Sequence, residues 1–181
     1  MSSNYEYVKE EATRLLARLK VQPPPVNLAS ICEKLDIGLA RSPLGSRAAV
    51  LMNSPQMNSV LIMVNSDHRL CRQRFSIAHE LGHYMLNHSC MAFSGGDGFM
   101  QFPEEEREAN IFAAELLMPE RYLLHCWAVN KLNTYDVSQI FNVSRQAATI
   151  AINHLYFIHD ELLNKHRRNY WIATYLMDIN I

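Results

Sequence analysis

The stretch Arg72–His88, RQRFSIAHELGHYMLNH, constrains this chain more than any other. It contains His79-Glu80-Leu81-Gly82-His83, an H-E-x-x-H pattern. On a helix, residues four apart stand one above the other, so His79 and His83 share a face. Two imidazoles so placed can reach one zinc ion at roughly 2.0–2.1 Å each. Glu80 then flanks the metal, where a general base is needed to activate water. Phe75, Ile77, Ala78, Leu81, Tyr84, Met85 and Leu86 make the segment apolar enough for a buried helix. Gly82 costs about 1 kcal/mol against Ala inside a helix, which predicts close approach of another group. A core helix carrying two ordinary histidines is the competing reading.

The rest of the chain must complete such a site and bury it. At 181 residues and 49% hydrophobic content, there is enough chain for one domain with a real core. A net charge of −1 provides no basic field for nucleic acid, so direct nucleic-acid binding is not expected. Cys32, Cys71, Cys90 and Cys126 are widely spaced without a C-x-x-C, which fits reduced thiols. The start, MSSNYEYVKEEATRLL, reads as a charged amphipathic helix rather than a signal peptide. No run reaches the ~20 apolar residues of a membrane span. The expectation is a cytoplasmic protein with no membrane partner.

Taken in order, Tyr5, Val8, Ala12, Leu15, Leu16 and Leu19 recur at helical spacing. Pro23-Pro24-Pro25 is the expected stop. Asn27 can cap a short helix through Leu35, with Gly38 as its C′ residue. Leu39 to Arg41, Ala48 to Met52 and Ser59 to Val64 read as strands, the last two hairpin-like across Asn53–Asn58. Asn65-Ser66-Asp67 reads as the start of the H-E-x-x-H helix. An extended peptide can add itself to a strand edge beside such a site, or the hairpin can be purely structural. Ser94-Gly95-Gly96-Asp97-Gly98 marks Cys90–Pro103 as a loop, either a gate over the site or a tolerated insertion.

A second helix is predicted over PEEEREANIFAAELLMPE, from Pro103 at its first position to Pro119. Two histidines leave a catalytic zinc site one protein ligand short. Glu106 and Asn110 are an i, i+4 pair, so Glu106 can bind the metal while Asn110 hydrogen-bonds a ligand histidine. Glu108 and Glu115 are rivals for the ligand role. Glu108 points about 200° away from Glu106, so both cannot face the metal. His88, about two and a half turns beyond His79, falls on the opposite face of an extended helix. His68, His125, His154, His159 and His166 lack ligand-like spacing, although His154 can reach a site from a third helical region.

Asp136–Tyr156, DVSQIFNVSRQAATIAINHLY, has helix-turn-helix texture, with Arg145 and Gln146 where a recognition helix meets DNA. Little basic charge accompanies it before Lys165-His166-Arg167-Arg168, so a structural helix pair is the reading preferred.

RFSIAHELGHYMLNH at 74–88 followed by EREANIFAAELLMP at 106–119 resembles the ImmA/IrrE family of metallopeptidases. MVN at 63–65 and PPVNLASICEKLDI at 24–37 are similar to family segments as well. The resemblance implies a zinc peptidase with His79, His83 and Glu106 as ligands and Glu80 as the catalytic residue. Asn110 matches the family's Asn/Asp position. The implied fold is α+β, a zincin-like core, mostly helical, with a small β-sheet preceding the active-site helix. The domain is expected over 1–157, closing with the helix pair at about 134–157, and 158–181 is read as an extension. Ala151 stands where members often carry Arg. The implied substrate is a protein, specifically a helix-turn-helix transcriptional repressor cleaved at one site. The alternative is a regulatory binding protein that contacts a repressor or DNA and uses zinc structurally.

Overall fold

The computed structural model describes residues 2–22, 24–54, 59–88, 103–126 and 132–165. Among the described residues, seven α-helices and three strands are arranged in the order α1 (Ser2–Arg18), α2 (Leu28–Lys34), β1 (Ile37–Ser42), β2 (Ala49–Ser54), β3 (Ser59–Asn65), α3 (Leu70–Met85), α4 (Pro103–Leu117), α5 (Glu120–Leu124), α6 (Thr134–Phe141) and α7 (Arg145–Lys165). The architecture is α+β, mostly helical with a small sheet before α3, as the motifs imply.

Amphipathic periodicity builds α1, which buries Val8, Ala12, Leu15 and Leu16 in the core. Its end differs from the expectation. The helix stops at Arg18, ahead of the prolines, because Lys20 adopts a left-handed conformation (φ 49°). Val21 N–H then donates to Leu16 O (3.0 Å) and Lys20 N–H to Ala17 O (3.1 Å), satisfying the last carbonyls. In α2, the Asn27 side chain caps by accepting from Ser30 N–H at 3.1 Å. The left-handed residue after α2 is Asp36 (φ 57°), not Gly38. Gly38 lies inside β1 opposite Leu61, where a Cβ would come within 3.0 Å of Leu61 Cδ1.

The sheet order is β1-β3-β2. The expected β2–β3 hairpin is antiparallel, while β1 pairs with β3 in parallel, so the β1–β2 connection crosses the middle strand. Ile37, Leu51, Ile62 and Val64 turn into the core. The connecting residues 55–58 lie outside the described residues. Asn65-Ser66-Asp67 is a turn rather than a cap. The fully buried Asn65 amide donates to Gly45 O and Arg47 O and accepts from Asp67 N–H, and α3 begins only at Leu70.

Helix α3 packs between the sheet and α4. Arg74 anchors it from both ends of the fold, donating to Val26 O (2.9 Å) before α2 and to Asn142 O (3.1 Å) in the turn between α6 and α7. Asn133 and Asp136 form a capping box on α6, Ser144 accepts from Ala147 N–H to open α7, and Ala148, Ile152 and Leu155 bury its inner face. Arg145 and Gln146 are exposed on the other side. Helix α7 runs unbroken through position 157 to Lys165. Of the expected Cys90–Pro103 loop, gate or insertion, residues 90–102 fall outside the described residues, as do 166–181 of the expected 158–181 extension. Among the described residues, no helix is long and apolar enough to cross a membrane.

Candidate metal centre

The centre forms where α3 and α4 cross at their closest approach. Gly82 makes that approach possible. A Cβ there would meet Ala109 Cα at 3.1 Å, Ala109 O at 3.2 Å and Phe112 Cβ at 3.2 Å. With no side chain in the way, the histidines on either side of Gly82 face the first turns of α4.

His79 Nε2 and His83 Nε2 lie 3.0 Å apart. Glu106 Oε2 stands 3.3 Å from the first and Glu106 Oε1 3.4 Å from the second. Among the described residues, His79, His83 and Glu106 form a group whose ligand atoms can converge on one metal ion. Zinc–ligand bonds of roughly 2.0–2.1 Å in a tetrahedron put ligand atoms about 3.3 Å apart, so the spacing fits.

The donor chemistry fits as well. Asn110 Oδ1 lies 3.1 Å from His79 Nδ1 and accepts its proton, which leaves the lone pair of His79 on Nε2. Burial holds the pKa of His79 below its ordinary value, against the opposing pull of Glu106. Burial, and the like charge that His79 and His88 would carry beside it when protonated, push His83 down to about 4. Burial thus favours the neutral form of both rings, the form a metal ligand takes.

Glu80 lies one residue from His79, between α3 and the edge strand β2. Burial raises its pKa to about 7, and the Glu106 charge adds to the rise, while the backbone N–H of Leu51 donates to its carboxylate and opposes it. A carboxyl poised near neutrality beside His79 and Glu106 and the edge strand β2 can act as a general base.

The rivals for the third ligand position are elsewhere. Glu115 is buried under α1, accepting from Glu120 N–H (3.1 Å) and Thr13 Oγ1 (3.4 Å). Glu108 turns to the other flank of α4, where Oε2 meets His88 Nε2 at 2.9 Å and Oε1 accepts from the side chain of Asn4.

His88 departs from the expectation. It is not on the far face of a continuing helix. Helix α3 ends at Met85, Asn87 takes a left-handed conformation (φ 53°), and His88 N–H donates back to His83 O at 3.0 Å. This terminating turn reverses the chain and places His88 Nδ1 3.0 Å from His83 Nδ1. The sequence signal for it was Asn87, a residue that tolerates the left-handed conformation directly before a histidine. Of the remaining histidines, His154 sits against Lys9 (3.4 Å), and His68 and His125 each bury an Nδ1 that has no hydrogen-bond partner among the described residues; the His159 side chain and His166 lie outside those described.

A family profile described as the IrrE N-terminal-like domain, a peptidase family, matches residues 32–153. Metallopeptidase ImmA of Bacillus subtilis (strain 168) is 31% identical over 98 residues, which cover 54% of this chain and 57% of that protein. The match thus spans little more than half the length of that relative.

Proposed function

The chain belongs to the IrrE N-terminal-like family of metallopeptidases, and from that premise we propose that it is a zinc endopeptidase that cuts a helix-turn-helix repressor at one site. The observation that carries the chemistry is the convergence of His79 Nε2, His83 Nε2 and a Glu106 oxygen pair within 3.0–3.4 Å, with Glu80 alongside. Three protein ligands are the number a catalytic zinc site has, one position being left for substrate or water.

His79, His83 and Glu106 would hold the ion. When bound, zinc supplies Lewis-acid polarisation of the scissile carbonyl and favours the ionised form of Glu80. Glu80 takes the proton from the attacking water on its carboxylate and passes it to the leaving amine. The Leu51 N–H beside that carboxylate favours its ionised form. Strand β2 lies at the sheet edge, so an extended peptide can pair along it and pass Glu80 in a fixed register. The repressor as target rests on the resemblance of the 74–88 and 106–119 motifs to the ImmA/IrrE family.

The test is a substrate trap. Zinc-loaded Glu80→Gln protein is used to draw partners from host lysate, and whatever it holds is offered to the wild type. Capture of a helix-turn-helix protein that the wild type cuts at a single bond supports the proposal. Capture of a protein of another class that the wild type cuts overturns the repressor assignment but leaves the peptidase. A captured repressor that remains whole, released from its operator by wild type and Glu80→Gln alike, overturns the peptidase.

A further inference from the structure

Behind His83 runs a continuous chain of side chains that the proposed catalysis does not use. Glu108 Oε2 lies 2.9 Å from His88 Nε2, and His88 Nδ1 lies 3.0 Å from His83 Nδ1. The two inner members are well shielded, with 6% of the His88 side chain exposed and 15% of that of Glu108. The chain ends on α1, where Asn4 donates its amide to the other oxygen of Glu108.

We propose that Glu108 and His88 are positioning residues that set the tautomer of His83 and so aim its Nε2 lone pair at the metal. This inference rests on the metal-site reading above. The order of donors follows from what each group can do. An ionised carboxylate only accepts, so Glu108 requires the proton of His88 to be on Nε2. In the tautomer with that proton on Nε2, His88 offers a bare Nδ1, which can only accept. The short His83–His88 contact therefore requires the proton of His83 to be on Nδ1, leaving its Nε2 free toward His79 and Glu106.

His79 is handled the same way from the other side, by Asn110 Oδ1. The two ligand histidines thus take their orientation from opposite flanks of one helix. Asn110 shares a face with Glu106, and Glu108 reaches round through His88. The turn at Asn87 is what allows this, because it brings His88 back over the last turn of α3. Through Asn4 the chain also connects the site to α1, which lies outside the segment matched by the family profile.

The experiment has two readouts. The first is the imidazole nitrogen NMR spectrum of the metal-free protein, with His83 assigned by comparison with His83→Gln. The Nδ1–H form is expected for wild-type His83, and its loss is expected in His88→Phe, which keeps the ring volume. The second is zinc affinity by chelator competition. His88→Phe and Glu108→Gln should each weaken zinc binding, by roughly 10- to 100-fold for the former and less for the latter. Because Glu108 acts through His88, Glu108→Gln should add nothing in the His88→Phe background. A proton on Nε2 of wild-type His83, or zinc affinities within twofold of wild type in both variants, overturns the relay. If the wild type itself binds no zinc, the metallopeptidase reading fails, and the tautomer spectrum alone decides the relay.

Discussion

Gly82 and Ala109 are in backbone contact: a Cβ built on Gly82 would lie 3.1 Å from the Cα of Ala109. This contact sets the spacing of α3 and α4, and with it the distance from His79 and His83 to Glu106. Two effects oppose each other in Gly82→Ala. Helix propensity favours Ala by about 1 kcal/mol, while overpacking a tight contact costs roughly 1–3 kcal/mol. The contacted atoms are the backbone of Ala109 and the Cβ of Phe112, none of which can rotate away, so the cost prevails. Thermal unfolding of Gly82→Ala should show a lower Tm than wild type, together with weaker zinc uptake. A higher Tm would mean that the helices separate without penalty.

Glu80→Gln should retain zinc at full stoichiometry and lose peptide cleavage by roughly 10²- to 10⁴-fold, the range a positioned general base supplies. Metal content by atomic emission and cleavage of a trapped substrate measure the two separately. Loss of zinc from this variant would show Glu80 to be a ligand rather than a base.

Glu106→Ala removes a carboxylate whose two oxygens stand 3.3 and 3.4 Å from the histidine nitrogens. It should leave the protein folded and abolish stoichiometric zinc binding. Glu108→Ala should weaken binding without abolishing it. The reverse order, with zinc retained in the first variant and lost in the second, would exchange the roles assigned to these two carboxylates.

The metal-free protein should be sensitive to acid. Burial, and repulsion from His79 and His88 when they too are protonated, depress His83 to about 4. A base with a depressed folded-state pKa is protonated more readily in the unfolded chain. Its contribution is complete above the unfolded pKa, near 6.5, and is lost as pH falls through about 4. The loss is on the order of 3 kcal/mol for this group between pH 7 and pH 4. Urea unfolding of chelated protein across that range measures it, and His83→Gln should flatten the slope. An unchanged slope would place the acid sensitivity elsewhere.

Arg74→Met keeps the aliphatic stem and removes the donors to Val26 O and Asn142 O. Burial lowers the pKa of this guanidinium. The expected destabilisation is roughly 2–3 kcal/mol, since two carbonyls lose a charged donor. The denaturation midpoint should fall, while zinc affinity at low denaturant should hold. No change in midpoint would mean that water satisfies both carbonyls.

Much of the site was legible because helical periodicity is local. Any helix over 79–83 sets two histidines on one face, and any helix over 106–110 does the same for Glu106 and Asn110. The family resemblance then gave those positions roles. Docking carried what periodicity could not. Nothing local predicts that β1 pairs with β3 in parallel, or that the Leu51 N–H on β2 meets Glu80.

His88 shows where the sequence argument stops. Extending the helix past Met85 sends it to the far face, whereas the left-handed turn at Asn87 returns it to His83. The helical angle separates Glu108 from Glu106, but its partners, His88 in the turn after α3 and Asn4 on α1, come from elsewhere in the chain. The sequence by itself determined which residues could share a helix face, because backbone geometry sets that period. The tertiary structure decided which faces meet, because close packing at Gly82 and the ends of the helices depends on neighbours far away in the chain.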